Sequence, residues 1–240
     1  MTAENKSIDI LGIKPVAESV NTVTKGTVDG ASAFLSRICL PAAEEFGLLL
    51  KDKVSSWRAT NAVSIANKAQ VLLEQQTKQL VVSAHPRIVY STIENGSWAE
   101  DDYMQNFWAG LLASSCTEDG KDESNLILIG LLSQLTNSQA ILVKYVCETA
   151  HKYKSSGGWI LADGLDMEID KLSEITNIED IHQIDRELDH LRGLGLISGG
   201  FHPHHTKADI SPTPLCLQLY VRSQGYVGSP IDYFGAEEKL

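Results

Sequence analysis

The segment at residues 101–113 constrains the fold more than any other part of the chain, because it concentrates apolar side chains at helical spacing. Asp101 and Asp102 precede these side chains and suit a helix N-terminus, where free N–H groups and the positive end of the dipole favour anions. So much apolar surface on one short helix needs partners on several sides, and we predict a central core helix with Trp108 as a buried anchor. The apolar positions follow one broad helical face: Tyr103, Met104, Phe107, Trp108, Leu111 and Leu112.

The composition and net charge of the chain limit the kinds of molecule that it is expected to bind. Apolar residues make up 43% of the 240 residues, enough for a substantial core, and the formal net charge is −11. Such an acidic chain lacks the broad positive field that attracts nucleic acid or anionic membranes. The N-terminal residues show no secretory signal, and no run approaches the ~20 apolar residues that span a bilayer. We therefore expect a soluble cytoplasmic protein, and we leave a homo-oligomer open.

The first half of the chain reads as helices. Residues 1–30 are expected to form a mobile arm, and two long helices are predicted near residues 31–55 and 57–80, with Pro41 marking a kink or a fresh start. Shorter helices follow as far as residue 150, with a cap-rich break at Thr136. Residues 154–158 are predicted to be a linker because they combine serine and glycine.

The last third has the element order of a winged-helix domain. Two short helices lead to a strand at residues 196–201, a histidine-bearing loop tip and a returning strand, and Thr213 then caps a final helix that Pro214 starts. We therefore predict a mainly α fold, a helical bundle followed by a winged-helix-like C-terminal domain with a small β-hairpin. The predicted domains are an arm, a bundle, the winged-helix-like unit and a loose tail: residues 1–30, 31–135, 136–225 and 226–240.

Metal, cofactor and catalytic signals are weak. His202, His204 and His205 are separated by a proline and have no acidic or cysteine partner at a recognisable spacing, so we predict an exposed wing and no metal. The four cysteines are far apart and form no CxxC pair, so we expect buried, reduced thiols. The sequence contains no GxSxG, phosphate-loop, HExxH or GxGxxG motif, so we expect no cofactor and no enzyme activity.

Several runs resemble the abortive-infection alpha family, whose members are linked to bacterial defence against bacteriophage. They lie at residues 57–62, 107–113, 131–136, 194–197 and 213–215, and the best marker is the Trp-Ala-x-Leu-Leu run that begins at Trp108. The resemblance spans roughly residues 35–225. It implies a setting in phage defence and supplies no active site. Cys216 departs from the pattern, because we expect glycine there.

With this resemblance, we expect a non-enzymatic defence protein that acts by protein–protein recognition of a phage or host component. The residues expected to contact the partner are Trp57, Arg58, Asn61, Arg186 and Arg192. An arginine and an asparagine one helical turn apart can bind a partner's backbone or an anion. For Arg58 and Asn61, hydrogen bonding between helices is the interpretation that we favour over this contact.

Two other functions remain open from the sequence. A DNA-binding regulator would fit the helix–hairpin–helix order, but the reading helix carries Asp185, Glu187 and Asp189, which would repel phosphates. A membrane-acting toxic effector would use the apolar segment at residues 31–50. A spanning helix would then have to bury charges, which weakens this alternative: Arg37, Glu44 and Glu45.

Overall fold

The computed structural model describes residues 25–51, 56–76, 82–202, 204 and 206–239. Helices dominate and the strands are short, so the predicted mainly α fold is confirmed. In chain order the helices are α1 (Lys25–Ile38), α2 (Leu40–Lys51), α3 (Ser56–Gln76), α4 (Pro86–Gly96), α5 (Asp102–Ser114), α6 (Leu126–Leu132), α7 (Asn137–Thr149), α8 (Ile169–Thr176), α9 (Ile181–Gly193), α10 (Pro214–Ser223) and α11 (Pro230–Phe234). The strands are β1 (Lys152–Lys154), β2 (Ile160–Ala162), β3 (Asp166–Glu168) and β4 (Lys207–Asp209).

Helix α5 is the central helix that the sequence predicts. Asp101 is its N-cap, and Asp101 Oδ1 accepts a hydrogen bond from Tyr103 N at 2.8 Å. The helix packs against α3, α4, α6, α7 and α10. Trp108 is only 3% exposed, which confirms its role as a core anchor.

Gly110 allows α5 and α10 to approach each other at the level of the backbone. A Cβ atom at this position would lie 1.8 Å from the carbonyl oxygen of Ser223, the last residue of α10. No side chain fits at that distance, so the contact requires glycine. It joins a helix of the predicted bundle to a helix of the predicted C-terminal domain within one continuous apolar core. The boundaries between the domains stay predictions.

The apolar stretch at residues 31–50 forms two helices. α1 ends at Ile38 and α2 begins at Leu40, so Pro41 marks a fresh start. The carbonyl oxygen of Ile38, at the end of α1, accepts a hydrogen bond from Ala84 N at 3.0 Å. Of the predicted mobile arm, residues 1–24 lie outside the described residues, and residues 25–30 form the first turns of α1.

In the C-terminal third, β4 overlaps the returning strand of the predicted hairpin, but its partner strand is β3 and not the segment at residues 196–201. Strands β3 and β4 pair antiparallel and flank α8 and α9 in the chain. The predicted strand at residues 196–201 forms only isolated bridges, Ile197 to Pro212 and Phe201 to Ala208. Two adjacent glycines in this segment offer no side chains to pack, which weakens regular pairing. The winged-helix identification stays a prediction.

Two segments predicted to be irregular are ordered. The predicted linker at residues 154–158 is wrong, because it forms the turn of the hairpin between β1 and β2. Within that turn Ser155 N donates to Trp159 O at 2.9 Å, and Gly158 adopts a φ of +84°. The expected loose tail contains α11, and Lys154 N donates to Glu237 O at 2.9 Å. The C-terminal segment therefore lies along β1.

Candidate partner-contact surface

The structure divides the predicted contact residues into two groups. Trp57, Arg58 and Asn61 lie on α3, which packs against α1, α2, α4 and α5. Arg186 and Arg192 lie on α9, which packs against α7 and α8. The two groups therefore belong to different parts of the molecule, and their surroundings differ.

Arg58 uses its guanidinium for bonds within the protein. Its Nη2 atom lies 3.0 Å from Glu94 Oε1 and donates to the Glu94 carbonyl oxygen at 3.3 Å. Nε and Nη2 also donate to the hydroxyl of Ser97 at 3.1 and 2.9 Å. The Arg58 side chain is only 14% exposed, so these charge-assisted bonds tie α3 to the end of α4.

Asn61 extends the same network into α5. Its Nδ2 atom donates to the Ser97 carbonyl oxygen at 3.0 Å, and its Oδ1 atom accepts from Gln105 Nε2 at 3.1 Å. Gln105 also donates to Ala99 O at 2.9 Å and accepts from Ser64 Oγ at 2.7 Å. Asn61 and Gln105 are buried, and their hydrogen bonds fix the turn between α4 and α5.

Lys68 bonds to this network at its solvent-exposed end. Its ammonium group donates to Gln105 Oε1 at 3.4 Å and to the Asp102 carbonyl oxygen at 3.1 Å. It also forms an ion pair with the Asp102 carboxylate. The hydrogen bond and the charge of Lys68 hold the pKa of Asp102 below its ordinary value.

Above this network lies an exposed pair of tryptophans. The rings of Trp57 and Trp98 meet edge to face, with centroids 5.4 Å apart, and the Arg58 guanidinium lies 4.1 Å from the Trp98 centroid. Trp57 is 39% exposed and Trp98 is 57% exposed. We call Trp57, Trp98 and the guanidinium of Arg58 the tryptophan surface.

The turn that carries Trp98 rests on the core. A Cβ atom at Gly96 would lie 2.9 Å from the ring of the buried Trp108, so the end of α4 sits directly on this anchor. Sequence reasoning missed Trp98 as a surface residue. The available signal was an indole placed in a short polar turn, outside any apolar helical face.

On α9, the charged residues are split between the interior and the solvent. Glu187 is buried: its Oε2 atom accepts from Thr136 Oγ1 at 2.9 Å, beside the N-terminus of α7. Asp189 forms an exposed ion pair with Arg192 at 2.6 Å, and Arg186 is exposed. The expectation of three carboxylates on one reading face is wrong for Glu187, and the arrangement gives a DNA-reading role no support.

The histidines and cysteines form no metal site in the described part of the chain, where no group of three or more potential ligands converges. The rings of His202 and His204 have centroids 6.2 Å apart, and His205 lies outside the described residues. The four cysteines are buried thiols, as predicted. Burial raises the pKa of Cys116 to about 12, which keeps its thiol protonated.

Part of the apolar segment that motivated the membrane alternative is buried in the protein core. Phe34, Leu35 and Ile38 of α1 and Phe46 of α2 are buried against other helices. Across the described ranges, none of the helices combines the length and the apolar character that crossing a bilayer requires.

The described residues thus form a mainly helical protein with two exposed tryptophans, Trp57 and Trp98, that lie beside a buried hydrogen-bonded network. A family model described as "Abortive infection alpha" matches residues 60–213, more than half of the chain. The chain therefore belongs to this family, which confirms the resemblance found in the sequence and indicates abortive-infection defence. No curated protein and no solved structure matches the chain. Trp98, Arg186 and Arg192 lie within the matched residues.

Proposed function

We propose that this protein acts in abortive infection by recognising a phage or host protein through the tryptophan surface, without catalysing a reaction. The observation that carries the proposal is the pair of exposed indoles, Trp57 and Trp98, held over a buried hydrogen-bonded network. The sequence also predicts contacts from Arg186 and Arg192, whose contribution is tested separately.

Exposed tryptophans suit a protein contact for two physical reasons. An indole buries a large area on binding and loses little conformational freedom, so tryptophan is enriched among the residues that dominate binding energy. Here Arg58 stacks on Trp98, and the bonds from Arg58 and Asn61 to Ser97 hold the turn that carries it. A surface that is ordered before binding costs less to order in the complex.

The non-enzymatic part of the proposal rests on the sequence, which contains no recognisable catalytic motif. The polar side chains beneath the tryptophan surface also favour a positioning role, because they bond to one another. Arg58, Asn61 and Gln105 each have hydrogen-bond partners within the network. The net charge of −11 favours a protein partner over a nucleic acid.

Affinity capture from infected and uninfected cells tests the proposal with three forms of the full chain: wild type, Trp98→Ala and Trp159→Ala. Trp159 is a matched control, because it is 70% exposed and lies on the hairpin between β1 and β2. We expect wild type and Trp159→Ala to recover the same partner and Trp98→Ala to lose it.

Two results would contradict the proposal. The first is a partner that Trp98→Ala retains as fully as the wild type. The second is recovery of no partner by the wild type, together with hydrolysis of nucleic acid or nucleotides by the purified protein.

A further inference from the structure

A second site, independent of the tryptophan surface, lies between the start of α6, helix α10 and the first residue of α11. It is a cavity of about 320 Å³, at the small end of the range for ligand sites. Apolar side chains form much of its wall, including Ile127, Leu128 and Leu215. Arg222 supplies a positive charge to this cavity.

The guanidinium of Arg222 has few partners for its depth in the protein. Its Nη1 atom donates to the carbonyl oxygen of Tyr226 at 3.0 Å, and the side chain is half-buried. Among the residues with described positions, no carboxylate lies within ion-pair distance of Arg222. A guanidinium carries five N–H donors, so most of its bonding capacity is left for solvent or a ligand.

Polar side chains near Arg222 also line the cavity. Gln218 lies four residues before Arg222 on α10, so both residues are on the same helical face, and both line the cavity. Asn125 on the opposite wall is fixed, because its Nδ2 atom donates to Ser114 Oγ and Ser115 Oγ at 3.1 and 2.8 Å.

Asp122 limits how much negative charge the cavity can accept. Its carboxylate accepts hydrogen bonds from Ser124 N and Oγ at 2.8 and 3.0 Å, and Ser124 lines the cavity. Burial lowers the pKa of Arg222, and the charge of Asp122 partly offsets this effect. A ligand with one negative charge therefore fits better than a polyanion.

We infer that this cavity binds a small monocarboxylate with a compact apolar body. The carboxylate would lie against the Arg222 guanidinium, whose planar fork matches two carboxylate oxygens. The apolar body would lie against Ile127, Leu128 and Leu215. Such a ligand supplies the acceptors that Arg222 lacks and covers the apolar wall at the same time.

Calorimetric titration of the full chain with benzoate and benzamide tests the inference, because the two probes share a shape and differ in charge. We expect benzoate to bind wild type and benzamide to bind at least about tenfold more weakly. Arg222→Gln should weaken benzoate binding by a factor of roughly ten or more, and Arg222→Lys by less, because lysine keeps the charge without the fork. Arg87→Gln is the control, since Arg87 lies on α4 outside the cavity lining.

Three results would overturn the inference: no benzoate binding to wild type, equal binding of the two probes, or equal weakening by Arg222→Gln and Arg87→Gln. If Arg222→Gln fails to fold, Gln218→Trp provides a second variant. Gln218 is exposed and lines the cavity, so an indole there should block benzoate and leave the unfolding midpoint unchanged. Undiminished benzoate binding by a folded Gln218→Trp protein would also overturn the inference.

Discussion

The tryptophan surface and the exposed side of α9 both contain arginines, but the arginines differ in exposure and in the number of their bonding partners. Arg58 is 14% exposed and bonded to Glu94 and Ser97, whereas the Arg192 side chain is 52% exposed and pairs with Asp189 on the same helix. A partly buried arginine with several partners positions its neighbours, while an exposed ion pair of this kind contributes about 0–1 kcal/mol. The comparison shows that an arginine's role depends on what surrounds it in the fold.

The largest expected effect comes from disturbing the core contact between α5, which packs against α3 and α4, and α10, which packs against α7. In Gly110→Ala the new methyl group would collide with the backbone of Ser223, so α5 and α10 would have to separate. We expect the free energy of unfolding to fall by roughly 3 kcal/mol or more, measured by urea denaturation.

Gly130→Ala is the matched control, because no atom lies within 4 Å of a Cβ atom built at that helical position. Its free energy of unfolding should be unchanged or raised by up to about 1 kcal/mol. If the two alanine variants unfold at the same urea concentration, the backbone contact at Gly110 does not have the role assigned to it.

The next effect tests the comparison directly with two identical substitutions. Arg58→Met should lower the free energy of unfolding by about 2 kcal/mol, because it removes the donors that satisfy Ser97 and Glu94. Arg192→Met should change it by no more than about 0.5 kcal/mol, since only an exposed pair is lost. Equal losses in urea denaturation would remove the distinction between the two surfaces.

A smaller effect is expected within α9 itself. Glu187→Gln keeps the shape of the side chain but removes a charge beside the N-terminus of α7, and we expect a loss of about 1 kcal/mol in thermal or urea denaturation. Asp189→Asn, on the exposed side, should cost no more than about 0.5 kcal/mol. If Asp189→Asn lowers the free energy of unfolding more than Glu187→Gln does, the buried carboxylate of Glu187 is not the one that stabilises α9.

Local signals in the sequence were enough to place many of the helices. Asp101, Thr136 and Thr213 each cap a helix through the side-chain oxygen expected to do so. The burial of Trp108 followed from apolar spacing alone, because a helical face with so many large side chains has to be covered.

Features that depend on residues distant in the chain could not be predicted from local sequence signals. The partners of Arg58 lie 36 to 39 residues away in the chain, so no local pattern shows that its guanidinium points inward. The backbone contact at Gly110 and the burial of Glu187 likewise depend on helices that come later or earlier in the chain. Serine and glycine at residues 154–158 suit both a hairpin turn and a linker, so local composition does not distinguish the two structures.

Plaque counts with two double variants test the central proposal most directly. The phage would be one that the wild-type protein restricts, and each variant would be present at the same amount of folded protein. Trp57→Ala with Trp98→Ala should abolish protection, whereas Arg186→Ala with Arg192→Ala should retain most of it. Retained protection by the tryptophan variant, with loss in the arginine variant, would contradict the assignment of the partner contact to the tryptophan surface.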